Sequence, residues 1–155
     1  MALTSPERLQ SGQKHDAAKV RFAGLTDAVA IAQLISEVGP KTTSEEVAQD
    51  LEQGGALLLD QAGTLLCALV WLEADYGWTL QQPAVLERYQ QRELDRWVLT
   101  KLEALAIQRN IPTLKMCLDD DSLLPYYARM GYRREEEGSE IILSKRVGGT
   151  WQYKV

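Results

Sequence analysis

The sequence predicts a mixed α/β domain with the element order β-α-α-β-β-β-α-β-α-β-β. Apolar runs of strand length alternate with segments whose apolar residues recur at helical spacing, and turn residues separate them. A chain of 155 residues fits one domain with a substantial core, and no repeat divides it. We expect that domain over residues 19–146, with a flexible polar leader at 1–18 and a C-terminal tail at 147–155.

The first part of the chain predicts a strand followed by two helices. The strand covers residues 19–23, and the first helix lies between residue 26 and the Gly-Pro pair at 39–40. Thr43 and Glu46 have the spacing of a capping box, in which each side chain bonds the other's backbone N–H. They start a second helix that ends at Gln53, before two glycines.

A β-meander follows these helices. Residues 56–60 and 64–72 form two strands around the tight turn 61–63, and a second turn leads into a third strand at 78–86. The long helix at 91–109 comes next. Its apolar positions recur at +4, +4 and +3 and should face the core: Leu94, Val98, Leu102 and Leu105.

The last part of the chain predicts a strand, a short helix and a hairpin. The strand is Thr113–Leu118, and Ser122 caps the helix, which ends at Gly131. Two closing strands, 132–136 and 140–145, complete the order.

The cysteines and most tryptophans are expected inside the domain. Cys67 and Cys117 lie in apolar, strand-like runs, which indicates buried free thiols rather than a disulfide or a metal site. Trp71, Trp78 and Trp97 are expected in or near the core.

Composition excludes several classes of function. A net charge of −5 disfavours a nucleic-acid partner, which needs a basic face. His15 is the only histidine and lies in the leader, so neither a His-based triad nor a typical zinc site is expected. No apolar run has the length to span a membrane, and we expect a cytoplasmic protein without membrane insertion.

The segment SLLPYYARMGYRR, residues 122–134, together with the element order, resembles the GNAT superfamily of acetyl-CoA-dependent N-acetyltransferases. Tyr127 matches the tyrosine of the family's C-terminal helix, and Gly131 with Tyr132 matches the glycine-aromatic pair that follows it. The resemblance covers residues 19–146. It implies a mostly antiparallel mixed sheet with helices on both faces, in which strands 78–86 and 113–118 splay apart to leave a cleft.

A second family pattern, Q/R-x-x-G-x-G/A, is only partly present. Gln90 takes its first position, but Glu93 and Asp95 replace its two small residues. In the family this turn holds the pyrophosphate of coenzyme A on backbone N–H groups. A carboxylate about 4 Å from a phosphate charge costs roughly 4 kcal/mol at an effective dielectric of 20. Acids in a first helical turn instead stabilise the empty helix, and glycine there would cost about 1 kcal/mol at each site.

The resemblance implies acetyl-CoA as cofactor and a set of cofactor-binding residues: Leu86, Gln90, Gln91, Arg92 and Arg96. With Arg88, the last two could offset the acids and reach phosphates. A solvated charged face is the alternative for these arginines.

The resemblance makes Tyr127 the candidate catalytic residue, as the acid that protonates the leaving thiolate. The alternative is a tyrosine that packs on the sheet with its hydroxyl hydrogen-bonded. Asp119 and Asp120 follow the fifth strand and would attract an amine substrate, unless they only favour the start of the next helix. No general base is assigned.

Two main functions follow. The first is transfer of an acetyl group from acetyl-CoA to the amine of a small molecule or protein. The second is a degenerate GNAT-like module that binds a protein partner or regulates assembly without coenzyme A chemistry. Trp151 and Tyr153 of the tail are candidates for a partner interface, unless they fold back on the domain. An unrelated α/β ligand-binding domain is a third interpretation.

Overall fold

The computed structural model describes residues 17–135 and 139–148. They form eight strands: β1 (Lys19–Phe22), β2 (Gly54–Gln61), β3 (Thr64–Ala74), β4 (Gly77–Leu80), β5 (Ala84–Val85), β6 (Thr113–Leu118), β7 (Arg133–Arg134) and β8 (Ile141–Arg146). The same residues form four α-helices: α1 (Ala28–Val38), α2 (Ser44–Gln53), α3 (Leu94–Gln108) and α4 (Leu124–Arg129). Short 3-10 turns at Leu25–Asp27, Glu87–Arg92 and Asp121–Leu123 precede α1, α3 and α4.

The strands form a single mixed sheet in the order β1-β2-β3-β4-β6-β8-β7, and β5 pairs with β3 off this path. Only β4 and β6 pair in parallel among the described strands; the other pairs are antiparallel. The predicted fold class is confirmed.

The two central strands diverge as the resemblance implies. β4 pairs with β6 from Gly77 to Leu80. Beyond Leu80 the next strand, β5, pairs with β3 and not with β6. β6 continues to pair with β8 as far as Leu118. The two strands are therefore joined at one end only, and a cleft opens at the other.

The single predicted strand 78–86 is wrong, because the chain breaks at residues 81–83. Leu80 lies opposite Trp71 and Ala84 lies opposite Ala68. The chain therefore advances four residues from β4 to β5 while the facing part of β3 advances three. One extra residue in such a pairing is a β-bulge. Pro83 lies inside it, where its missing N–H cannot continue the ladder.

The helices cover both faces of the sheet. α1 and α2 pack on one face, and α3 and α4 pack on the other. The predicted stripe on α3 is confirmed: Val98 and Leu102 are buried, and Leu94 and Leu105 pack at the edge of the same core. The capping box of α2 is also confirmed, since Thr43 and Glu46 exchange both hydrogen bonds, at 3.1 and 3.0 Å.

Two burial predictions are wrong. Cys117 is exposed because alternate residues of β6 face α3, which leaves Cys117 on the other side of the sheet. Trp97 is 41% exposed because it lies one helical step, about 100°, from the buried Val98. Cys67 is buried, and Trp71 and Trp78 are buried and stacked, with ring centroids 4.6 Å apart.

The termini lie mostly outside the described residues. This applies to residues 1–16 of the predicted leader and to residues 149–155 of the predicted tail, which include Trp151 and Tyr153. No helix within the described ranges is long and apolar enough to cross a membrane.

Candidate active site

The candidate site lies where β5 and β6 part. The 3-10 turn Glu87–Arg92 follows β5 and leads into α3, while β6 leads through the turn Asp121–Leu123 into α4, so both helices start beside the place where the strands part. Leu86 follows β5, packs at the edge of both core clusters and donates its N–H to the Leu66 carbonyl at 2.8 Å. The cleft thus has one fixed wall, formed by the meander.

The turn itself is tied to that wall. The Gln90 side-chain amide donates to the Val85 carbonyl at 3.0 Å, and the Tyr89 N–H donates to the Leu86 carbonyl at 2.8 Å. Gln91 lies on the same turn, but its side chain is not among the described parts of the chain. α3 was expected from residue 91 and begins at Leu94, because the turn occupies the residues before it.

Glu93 has a left-handed backbone conformation, with φ 56° and ψ 34°. The resemblance aligns it with the first glycine of the family pattern, and glycine is the residue that adopts this conformation without strain. A glutamate there costs about 1 kcal/mol. Its carboxylate is 63% exposed and lies 3.3 Å from Arg96, in an ion pair that adds little stability in solvent.

Asp95 turns toward α4 instead. The Tyr126 hydroxyl donates a hydrogen bond to its Oδ1 at 3.2 Å. Burial and the Asp95 charge raise the pKa of the Tyr126 hydroxyl above its usual value, so the phenol stays a proton donor at neutral pH. The two acids therefore lie in different surroundings: the Glu93 carboxylate is in solvent, and the Asp95 carboxylate contacts Tyr126 of α4.

Two arginines supply positive charge to the turn. The guanidinium groups of Arg88 and Arg92 lie 5.5 and 5.0 Å from the centroid of the Tyr89 ring. Neither has a carboxylate partner within the described residues. Free guanidinium groups are suited to phosphate oxygens.

Tyr127 is the most buried side chain of the site, at 1% exposed. Its ring lies edge-on to the Tyr126 and Tyr132 rings, with centroids 5.0 and 6.1 Å away. Burial first, and then the Asp95 charge, raise the pKa of its hydroxyl above the usual value. Among the described residues this hydroxyl has no hydrogen-bond partner, so its proton is available to a bound molecule.

The two aspartates after β6 separate. Asp119 lines a cleft of about 90 Å³ between the end of α1, the strand break and β6, whose other lining residues are mostly apolar. Asp120 caps the next turn: its carboxylate accepts the Ser122 N–H at 2.8 Å and the Ser122 hydroxyl, and these bonds lower the pKa of Asp120. The cap predicted for Ser122 is therefore wrong, because the preceding acid takes that role.

Sequence reasoning missed two contacts that shape the site. Tyr126 lies beside Tyr127 in the family-like segment, yet its bond to Asp95, 31 residues away, has no local signal. The same holds for Glu103 and Lys145, which meet behind α4 at 3.0 Å. The break at Pro83 did have a signal, since proline inside a strand-like run argues against a continuous strand.

Comparison of the sequence with protein-family models gives no match, and comparison with curated proteins gives no relative. Solved structures do match the fold. The ribosomal-protein-S18-alanine N-acetyltransferase from Escherichia coli has a TM-score of 0.77 at 17% identity, covering 89% of this chain and 100% of its own. The PaiA N-acetyltransferase from Thermoplasma acidophilum, solved in complex with coenzyme A, has a TM-score of 0.69 at 13% identity, covering 84% and 99%.

A GNAT-family acetyltransferase from Listeria monocytogenes has a TM-score of 0.72 at 18% identity, covering 83% of this chain and 94% of its own. The chain thus has the GNAT fold over nearly the whole length of these proteins. At such low identity the likeness concerns the fold alone.

Proposed function

We propose that the protein is an N-acetyltransferase that moves an acetyl group from acetyl-CoA to a primary amine. The observation that carries this proposal is the Tyr127 hydroxyl, which is protonated at neutral pH and has no hydrogen-bond partner among the described residues, on a side chain that is only 1% exposed. In the described part of the chain the hydroxyl oxygen is not one of the buried polar atoms that lack a partner, so it keeps access to solvent. A phenol whose ring is packed while its hydroxyl stays accessible suits a proton donor for a leaving group.

The cofactor would be held at the turn before α3. Backbone N–H groups at a helix start and the unpaired guanidinium groups of Arg88 and Arg92 suit a pyrophosphate. Leu86, Gln90 and Gln91 complete this side, and Arg96 joins it when it leaves Glu93. Asp95 is the group that opposes a phosphate here, so we expect weaker binding than a turn with small residues would give.

Acetyl-CoA supplies an acetyl group activated as a thioester. The amine nitrogen forms the new C–N bond as the C–S bond breaks, and the Tyr127 hydroxyl gives its proton to the leaving sulfur. The proton that the nitrogen loses passes to water, because no acid of the cleft is assigned as base, and water then returns a proton to the Tyr127 oxygen.

The amine would enter from the side of Asp119. The small apolar cleft there suits an amine on a compact or apolar group, and one carboxylate favours its positive form on approach. Asp120 is a weaker candidate for this role, since its carboxylate already accepts two hydrogen bonds from Ser122. Both a small-molecule amine and a protein amine fit this description.

One observation favours a second function. The Asp95–Tyr126 hydrogen bond joins α3 to α4 across the cleft where a cofactor would pass between them. A GNAT-like module that binds a protein partner, through residues 147–155 or another surface, would keep such a bond permanently.

Titration calorimetry with acetyl-CoA and with coenzyme A separates these functions. Turnover is then measured with a panel of small amines and peptide N-termini. Released coenzyme A should be quantified by chromatography, because the exposed Cys117 would react with a thiol reagent. Binding with acetyl transfer supports the enzyme; no binding at millimolar acetyl-CoA would leave the non-enzymatic module.

A further inference from the structure

Behind α4, away from the cleft, a charged side chain of α3 contacts two residues of the C-terminal part of the chain. The Glu103 carboxylate accepts a hydrogen bond from the Tyr132 hydroxyl at 2.8 Å and one from Lys145 Nζ at 3.0 Å. The Glu103 side chain is 13% exposed and that of Lys145 is 25% exposed. Burial to this degree makes the pair far less screened than a surface ion pair.

Lys145 also contacts the end of α4, so it links Glu103 to that helix. Its Nζ also donates to the carbonyl of Met130 at 2.7 Å, the residue that ends the helix. A cation at a helix C-terminus stabilises the unpaired carbonyl groups there. The last turn that holds Tyr127 is thus fixed from α3 through one ammonium group.

Tyr132 provides a second route from Glu103 to Tyr127. The Tyr132 N–H donates to the Tyr127 carbonyl at 3.1 Å, and the two rings are in edge contact. Its hydroxyl, at the other end of the ring, is held by Glu103. The position of Tyr127 therefore depends on the Tyr132 ring as well as on Lys145.

These contacts matter because α4 has only six residues. Helices of this length have almost no stability of their own, so tertiary contacts determine where they lie. On its other side α4 is held by the Tyr126–Asp95 bond, which lies in the cleft and would be disturbed by a cofactor that passes there. The contacts from Glu103 lie outside the cleft and would remain.

We propose that Glu103 is a positioning residue for acetyl transfer: through Lys145 and Tyr132 it fixes the end of α4 and so the place of the Tyr127 hydroxyl. This proposal rests on the proposed function. Glu103 itself touches neither the cofactor turn nor the amine side of the cleft. A displacement of about 1 Å at the reacting group lowers turnover as much as a hundredfold.

The test compares Glu103→Gln with the control Glu135→Gln. Glu135 forms an ion pair of similar length with Lys115, 3.1 Å, with partly exposed side chains and no contact to α4. Glu103→Gln should lower kcat about tenfold or more while the acetyl-CoA Kd stays within about twofold, because the turn before α3 is untouched. Glu135→Gln should change neither.

Two further measurements separate positioning from general stability. Amide exchange at Met130 and Tyr132, whose N–H groups bond the Tyr127 carbonyl, should become faster in Glu103→Gln and not in the control. Adding Lys145→Met should lower kcat less in Glu103→Gln than it does in the parent protein, since the two residues share the route through the Lys145 ammonium group. Lys145→Arg, which keeps the charge, should retain most of the turnover.

Unchanged exchange at Met130 and Tyr132 in Glu103→Gln would overturn the anchoring role, whether or not the parent protein has activity. Faster exchange with an unchanged kcat would overturn the positioning role and leave the proposed function intact. A parent protein that transfers no acetyl group to any amine would overturn the proposed function and, with it, a role in acetyl transfer; the exchange rates would still decide the anchor.

Discussion

The hydroxyl of Tyr126 donates a hydrogen bond to Oδ1 of Asp95 at 3.2 Å, and this bond joins α4 to the first turn of α3. The resemblance described above aligns Asp95 with the glycine or alanine that ends the family pattern. In place of a small neutral residue, this chain has a carboxylate that accepts a hydrogen bond from a phenol. The bond gives the first prediction.

Asp95→Asn should strengthen acetyl-CoA binding about tenfold or more, because it removes a negative charge beside the phosphate-binding turn. Tyr126→Phe removes the bond and keeps the charge, so a smaller gain in that variant would assign the barrier to charge rather than to the bond. Calorimetry measures both, with Tyr76→Phe, an exposed tyrosine on the β3–β4 turn, as control. Equal affinity of Asp95→Asn and the parent would show that Asp95 does not oppose the cofactor.

Glu93→Gly and Asp95→Gly should differ in sign in their effect on thermal stability. Glycine relieves the left-handed strain at Glu93, worth about 1 kcal/mol, whereas glycine at Asp95 costs the helix about 1 kcal/mol. In a protein of this size each change shifts Tm by about 2–4 °C, upward for Glu93→Gly and downward for Asp95→Gly. Thermal unfolding followed by circular dichroism is the measurement. A similar loss in both variants would mean that Glu93 is not strained.

Tyr127→Phe should lower turnover at least a hundredfold and leave the acetyl-CoA Kd nearly unchanged, as expected for a proton donor. Its stability should change little, since its hydroxyl has no partner within the described residues. Tyr132→Phe is the contrasting variant: it removes one of the two hydrogen bonds that Glu103 accepts and should cost about 1–3 kcal/mol. Full turnover in an active Tyr127→Phe enzyme would remove this residue from the mechanism.

Stability should decrease as the pH rises from 9 to 12. Burial raises the pKa of the Cys67 thiol from 9.0 to about 12, so across this interval the unfolded chain loses a proton that the folded protein keeps. A pKa raised by folding gives stability that is complete below the unfolded pKa and is lost above it. The buried Tyr127 and Tyr132 act in the same direction.

Urea unfolding at several pH values tests this, with Cys67→Ala as the variant. Its free energy of unfolding is lower throughout because of the cavity, but it should decline less steeply with pH. Identical slopes would mean that Cys67 does not contribute.

The elements that sequence predicted well are those with local causes. The stripe through Val98 and Leu102 and the capping box at Thr43 depend on spacing within one helix, and the structure confirms both. Cys117 was misplaced because its run is apolar on both sides, and only the packing of α3 decides which face is buried. Residues within an element determine whether it is a helix or a strand. Residues of distant segments that pack on it determine which of its faces is buried.

The candidate site divides in the same way. The family-like segment of thirteen residues, 122–134, identified Tyr127, but the surroundings of Tyr127 come from Asp95 and Glu103, which lie on another helix. Glu93 looked like an acid in a helical turn, and its left-handed conformation became visible only with the turn that precedes it. Contacts of this kind depend on how distant segments meet, which spacing along the chain does not record.

The parallel pairing of β4 with β6 has a consequence for how the molecule moves. Within the described residues, this seam of four residue pairs, Gly77–Thr113 to Leu80–Met116, is the only strand pairing between the meander β1–β5 and the C-terminal unit β6–β8. Each side has its own, longer antiparallel ladders, so breaking a few seam bonds costs less than opening either side. The two units also share one hydrophobic core beneath α3, so we expect a ligand wider than the resting cleft to part the strands at this seam before it disturbs either ladder.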